Sequence, residues 1–184
     1  MAASELELII FEGPQGVGKT TSTQYLTDRG FILERGIPTG QELMSNGSLQ
    51  NWRSSIDLLN QPTGPSTRVL DRCLWSIVAF NQRLKPNQSE LIYRLGREAF
   101  KRALGNRNYA LVFIDSTAEE CYLRKSADSG VMRFTSFDQY VEEITIYRNL
   151  YQRLADDGFP VTQLINTQDI NFLYQSINLI MKPK

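Results

Sequence analysis

Two short clusters hold residue types that phosphate chemistry needs. Gly13-Pro14-Gln15-Gly16-Val17-Gly18-Lys19-Thr20 matches the pattern G-x-x-x-x-G-K-[ST] and is followed by Thr21. Glycines let a loop curl so that its backbone N–H groups converge on an anion. A helix starting at the end of such a loop adds a partial positive charge. Lys19 then supplies a point charge for the β- and γ-phosphates, and the Thr20 hydroxyl suits Mg²⁺. The second cluster is Asp71-Arg72, directly after Arg68-Val69-Leu70. Asp71 is suited to hold a Mg²⁺-bound water or orient an acceptor oxygen. Arg72 is suited to clamp an acceptor phosphate with its planar fork.

Both clusters need a scaffold that brings strand ends together. The apolar run Leu6 to Phe11 reads as a buried strand ending at the glycine-rich loop, with a helix expected over Thr20 to Asp28. Further strands are expected at Phe31–Leu33, Arg68–Leu70, Ala110–Ile114 and Val161–Ile165. Helices are expected at Gln41–Leu59, from the third strand to about Asn81, and at Ser89–Leu104, Ala118–Lys125, Phe137–Asp156 and Ile170–Met181. Alternating strands and helices imply one α/β domain over residues 1–184: a doubly wound parallel sheet of about five strands with helices on both faces. In such sheets ligands sit beyond the carboxyl ends of the strands, where both clusters fall. Lys182, Pro183 and Lys184 read as a solvated tail.

Composition narrows the chemistry. The 184 residues suit one domain with a sizeable core. Lysine plus arginine is 20 and aspartate plus glutamate is 20. A zero formal net charge gives no reason to expect extended nucleic acid or an anionic membrane as partner. There is no histidine, which excludes histidine bases, Ser-His triads and histidine-ligated metals. Cys73 and Cys121 form no metal or disulfide pattern, so a reduced cytoplasmic setting is expected, with Cys73 a small buried filler. No apolar run is long enough to span a bilayer, and Met1 to Glu7 lacks the features of a secretory leader.

Phe11-Glu12-Gly13 through Thr21 resembles the opening of thymidylate kinases, which read FEG-x-x-G-x-GKTT. Asp71-Arg72 followed by Ser76, Ala79 and Phe80 resembles their DR-x-x-x-S-x-x-A-Y segment. Phe113 to Thr117 and Ile165-Asn166-Thr167 resemble later strand ends of that family, in matching order. The resemblance implies a P-loop kinase fold with a lid, and Mg²⁺-dependent transfer of the ATP γ-phosphoryl to a nucleoside monophosphate, usually dTMP. It implies that Arg72 binds the acceptor phosphate, with Arg35 and Arg53 on the acceptor side, and that Ser76 and Phe80 line the nucleoside pocket. It also implies a lid over about 125–136, in which Arg133 meets the transferred phosphoryl and Arg124 the adenine. A homodimer is common in the family, with the helix near Ser76 to Gln82 as its contributor.

Gln15 stands where one kind of thymidylate kinase carries arginine, so the lid-dependent kind is expected. Met132 replaces the aspartate of the family's lid element. The acceptor side, about 35–66, is shorter than the family's by roughly 20 residues, which points to an altered acceptor. The alternatives are a P-loop kinase acting on a nucleoside, a polynucleotide 5′-hydroxyl or a small hydroxyl compound, or a non-catalytic ATP-binding regulator. Trp75 is assigned to core packing. Asp115 reads either as a second Mg²⁺ acid or as a turn acid before Ser116 and Thr117.

Overall fold

The structure, a computed structural model, describes residues 6–35, 47–62, 64, 66–127, 136–166 and 169–181. Residues 128–135 of the expected lid, with Met132 and Arg133, lie outside the described residues, as do 36–46 of the acceptor side and the tail 182–184.

Five parallel strands form one sheet: β1 (Leu8–Glu12), β2 (Ile32–Arg35), β3 (Arg68–Asp71), β4 (Tyr109–Asp115) and β5 (Val161–Ile165), in the order β2-β3-β1-β4-β5. β1 is central, pairing Phe11 with Asp71 on one side and Glu12 with Phe113 on the other. All five of its residues are buried, as expected for a strand covered on both faces. Alternate residues divide between two cores. Leu8 and Ile10 pack with Leu70, Leu111 and Trp75, whereas Ile9 and Phe11 pack with Val69, Val112 and Leu26. This two-residue period turns one apolar strand into the shared wall of two helical layers.

The helices are α1 (Lys19–Thr27), α2 (Gly47–Asn60), α3 (Leu74–Leu84), α4 (Pro86–Leu104), α5 (Ala118–Ala127), α6 (Phe137–Asp156) and α7 (Ile170–Met181). α4 starts three residues before the expected Ser89, because Pro86 takes the first helical turn, where its fixed φ and missing N–H cost nothing. α6 begins with a capping box between Ser136 and Gln139. Unlike most layer helices it serves both cores. Tyr140 and Ile144 enter one, and Ile146, Tyr147, Leu150 and Leu154 enter the other.

Trp75 is fully buried, its ring 5.3 Å from that of Phe100 and 5.8 Å from those of Tyr93 and Phe159. This anchor seats the start of α3 directly behind Asp71-Arg72. α3, the helix the resemblance offers to a dimer, is buried along one face and partly exposed at Phe80, Gln82 and Arg83. Ser76, Ile77, Val78, Ala79 and Asn81 are all buried within their own chain. Its neighbours are α2, α4 and α6. Among the described residues no helix is long and apolar enough to cross a membrane.

Candidate active site

The loop between β1 and α1 closes over itself at the carboxyl edge of the sheet. Gly13, Gly16 and Gly18 have φ of 143°, 83° and 97°, a backbone region that side chains disfavour. The loop is also tightly backed. A Cβ on Gly16 would lie 2.7 Å from the Cys121 carbonyl oxygen in α5, and one on Gly18 would lie 2.6 Å from Asn166 Nδ2. Asn166 itself donates to the Val17 carbonyl at 2.6 Å, and Val17 is fully buried. We expect Gly16→Ala to weaken Mg-ATP binding at least tenfold by calorimetry, because the left-handed backbone alone costs about 1–2 kcal/mol before the clash is counted. Unchanged affinity would mean that the loop is not the phosphate cradle.

Lys19 is 5% exposed and folds back along the loop, donating to the Gly13 carbonyl at 2.8 Å and the Pro14 carbonyl at 2.6 Å. Burial, with Arg72 nearby, pulls its pKa down to about 7, although Asp71, Glu143 and Glu12 oppose the shift. Thr20 donates to Asp71 Oδ2 at 3.3 Å. The other carboxylate oxygen, Asp71 Oδ1, is buried with no hydrogen-bond partner among the described residues. A hydroxyl and a carboxylate converging at the mouth of the loop, one oxygen unsatisfied, fit a hard divalent cation such as Mg²⁺.

Arg72 has φ of 72°, and among the described residues it is the one non-glycine with positive φ. This backbone turns the side chain across the end of β1. Nη1 donates to the Gly13 carbonyl at 3.3 Å, Ser76 Oγ at 3.1 Å and the Tyr147 hydroxyl at 3.0 Å. Every hydrogen bond of the guanidinium to the described residues comes from Nη1, so Nε and Nη2 are left for a ligand. Behind it Tyr147 donates to Ser76 Oγ at 2.9 Å, and Ser76 Oγ donates to Glu12. Glu12 also accepts the Cys73 amide at 2.8 Å. Glu12 is fully buried, and desolvation raises its pKa despite the Ser76 and Cys73 hydrogen bonds and the Arg72 charge. Burial works against the charge on Arg72 too, but Tyr147, Glu143, Asp71 and Glu12 together hold its pKa above the ordinary value.

The other expected site residues are placed less centrally. Ser76 is buried in the support of Arg72 and Glu12 instead of lining an open pocket. Phe80 is half-buried on α3, and Arg53 is exposed on α2. Arg35 ends β2 in register with Asp71, which puts its backbone at the right edge. Thr21 follows on the exposed side of α1. Arg124 reaches the back of the loop, donating to the Gly16 carbonyl at 3.3 Å and approaching Glu120 at 3.8 Å. Asp115 is held by Arg148 at 2.8 Å and accepts the Ser116 amide at 2.8 Å, the geometry of a paired turn acid. Cys73 is buried, with its thiol pKa pushed up by burial.

Three participants went unread in the sequence. Glu12 belongs to the opening Phe11-Glu12-Gly13 motif, whose pattern assigns it no chemistry. Glu143 and Tyr147 sit on α6, remote in sequence. Glu143 is 5% exposed and accepts the Gln15 amide at 2.8 Å. The signal that could have flagged them is an acid and a tyrosine four residues apart on the apolar face of a long helix.

The β1–loop–α1 cradle at the carboxyl edge of the central strand, within this strand order, decides the fold. The chain has the fold of a P-loop kinase. Over 95% of its length it superposes on 96% of a deoxyadenosine kinase from M. mycoides with bound dCTP, with TM-score 0.64 and 13% identity. The same kinase with bound dATP gives TM-score 0.64 at 12% identity over 94% of this chain and 99% of that one. With dCMP and a flexible dCDP it gives TM-score 0.59 at 15% identity, over 95% and 96%. No protein-family model matches the chain, and no curated protein matches it. At such identities the likeness within the P-loop kinase fold is one of architecture.

Proposed function

We propose that the chain is an ATP-dependent phosphotransferase that passes the γ-phosphoryl of Mg-ATP to a deoxynucleoside monophosphate, dTMP being the first candidate. One observation carries this reading. Arg72 Nη1 touches the Gly13 carbonyl of the phosphate loop, and the Thr20–Asp71 corner stands at the same strand ends, so donor and acceptor anions would meet beside one held cation and one cation-binding corner. The loop amides and Lys19 bind the donor phosphates. Thr20 and Asp71 hold Mg²⁺, which when bound neutralises charge on those phosphates. Arg72 holds and orients the acceptor phosphate. A monophosphate acceptor is already ionised, so a chain without histidine needs no dedicated base.

A second reading, a deoxynucleoside as acceptor, is favoured by the architecture shared with a deoxyadenosine kinase. Here the 5′-hydroxyl must lose a proton, and Asp71, whose Oδ1 has no hydrogen-bond partner among the described residues, would accept it. An ADP-release assay with Mg-ATP and a panel of four deoxynucleoside monophosphates and four deoxynucleosides separates the readings. Turnover on a monophosphate supports the first, and turnover on nucleosides alone moves the acceptor. ATP binding without ADP release across the panel overturns the enzymatic reading. Asp71→Asn is expected to raise the Mg²⁺ concentration for half-maximal rate about tenfold or more, since it removes a charge-assisted contact to the hydrated ion. An unshifted Mg²⁺ dependence would remove Asp71 from the metal's surroundings.

A further inference from the structure

Glu143 and Tyr147 are one turn apart on the same face of α6. Glu143 touches the donor loop, where its carboxylate takes the Gln15 amide at 2.8 Å. Tyr147 touches the acceptor arginine, whose Nη1 meets its hydroxyl at 3.0 Å. Both are almost fully buried, at 5% and 4% exposure. A buried carboxylate is costly unless hydrogen-bonded, so an apolar residue would serve α6 better if Glu143 only filled space. Glu143 is also close enough to act on the charges of both Lys19 and Arg72. The helix between the two side chains is rigidly seated, because α6 packs into both cores. Four residues of α-helix rise about 6 Å, a fixed spacer between the two contacts.

We propose that Glu143 and Tyr147 are positioning residues: Glu143 fixes the donor-phosphate loop through the Gln15 amide, Tyr147 fixes Arg72, and the turn of α6 between them sets the gap across which the phosphoryl group passes. This rests on the phosphotransferase reading above. In-line transfer tolerates little error in that gap, a 1 Å displacement costing about a hundredfold in rate.

The two halves are separable. Glu143→Ala is expected to weaken Mg-ADP binding roughly tenfold by calorimetry, the effect of losing a charge-assisted hydrogen bond. Glu143→Gln keeps an oxygen for the Gln15 amide and should recover most of that loss. Tyr147→Phe should leave Mg-ADP affinity within about twofold but lower kcat roughly tenfold, because only the acceptor side is loosened. ¹⁵N NMR of the Arg72 guanidinium reads the same change without turnover, as faster rotation of the group in Tyr147→Phe. A purely structural role would lower the melting temperature of all the variants without this donor–acceptor split. The proposal is overturned if Glu143→Ala binds Mg-ADP normally, if Glu143→Gln is as weak as Glu143→Ala, or if Tyr147→Phe leaves the Arg72 signal unchanged. If the native protein binds Mg-ADP yet transfers phosphoryl to no acceptor, the reaction assigned above fails. The binding and NMR results still decide the positioning roles.

Discussion

Lys19→Met lowers kcat/KM for phosphoryl transfer by roughly a thousandfold, the upper end of what losing one preorganised charged donor costs. It is also expected to abolish the proton uptake that the buried Lys19 predicts for the native protein on binding nucleotide. The sign follows from burial. In the free protein the Lys19 pKa is about 7, down from its ordinary 10.5, so above pH 7 the amine is mostly neutral. Triphosphate oxygens favour the charged form and pull the pKa back up. At pH 8 binding therefore draws close to one proton from solvent, whereas at pH 6 the amine is already charged and draws almost none. Calorimetry in buffers of different ionisation enthalpy measures this directly. Equal proton uptake by Lys19→Met at pH 8 would show that another group titrates. The same shift links to stability. Between pH 7 and 10.5 the unfolded chain holds the Lys19 proton and the folded chain does not, so this residue makes the ligand-free fold more stable as pH rises through that window. Below pH 7 the cost of the buried charge is present in full.

Arg72→Lys is expected to lower kcat roughly a hundredfold while Mg-ADP affinity stays within a few-fold of the native value. Lysine keeps the charge but not the planar fork. The native guanidinium uses Nη1 for Gly13, Ser76 and Tyr147, and in the proposed reaction its second edge takes the acceptor. An ammonium cannot serve both sides at once. Steady-state kinetics with the best acceptor of the panel, beside ADP calorimetry, gives both numbers. A near-normal kcat would remove Arg72 from the acceptor site. A large loss of ADP affinity would assign it to the donor loop instead.

The sheet and the cradle were legible because their signals are local. An apolar run, glycines and Lys19-Thr20 lie within a dozen residues, and the strand and helix on either side form as their periodicities require. Asp71 and Arg72 were legible for the same reason, as charged residues at the end of a short buried strand. What escaped was the long-range support. Gln15 meets Glu143 across 128 residues of sequence, and Arg72 meets Tyr147 across 75. No local pattern marks such pairs, because they exist only once α6 has docked. Ser76, which the resemblance puts on the acceptor side, is buried between Arg72 and Glu12, a pairing that no local pattern announces. The helix read from Ser89 shows another limit, since it starts three residues earlier with Pro86 in its first turn.

The left-handed backbone at Arg72 sets local strain against a buried charge network at a single codon. A side chain there bears a conformational cost of about 1–2 kcal/mol that glycine escapes. Glycine would escape that cost but would leave Ser76, Tyr147 and the buried Glu12 without their guanidinium partner, so the network around position 72, and not its local backbone preference, keeps an arginine there.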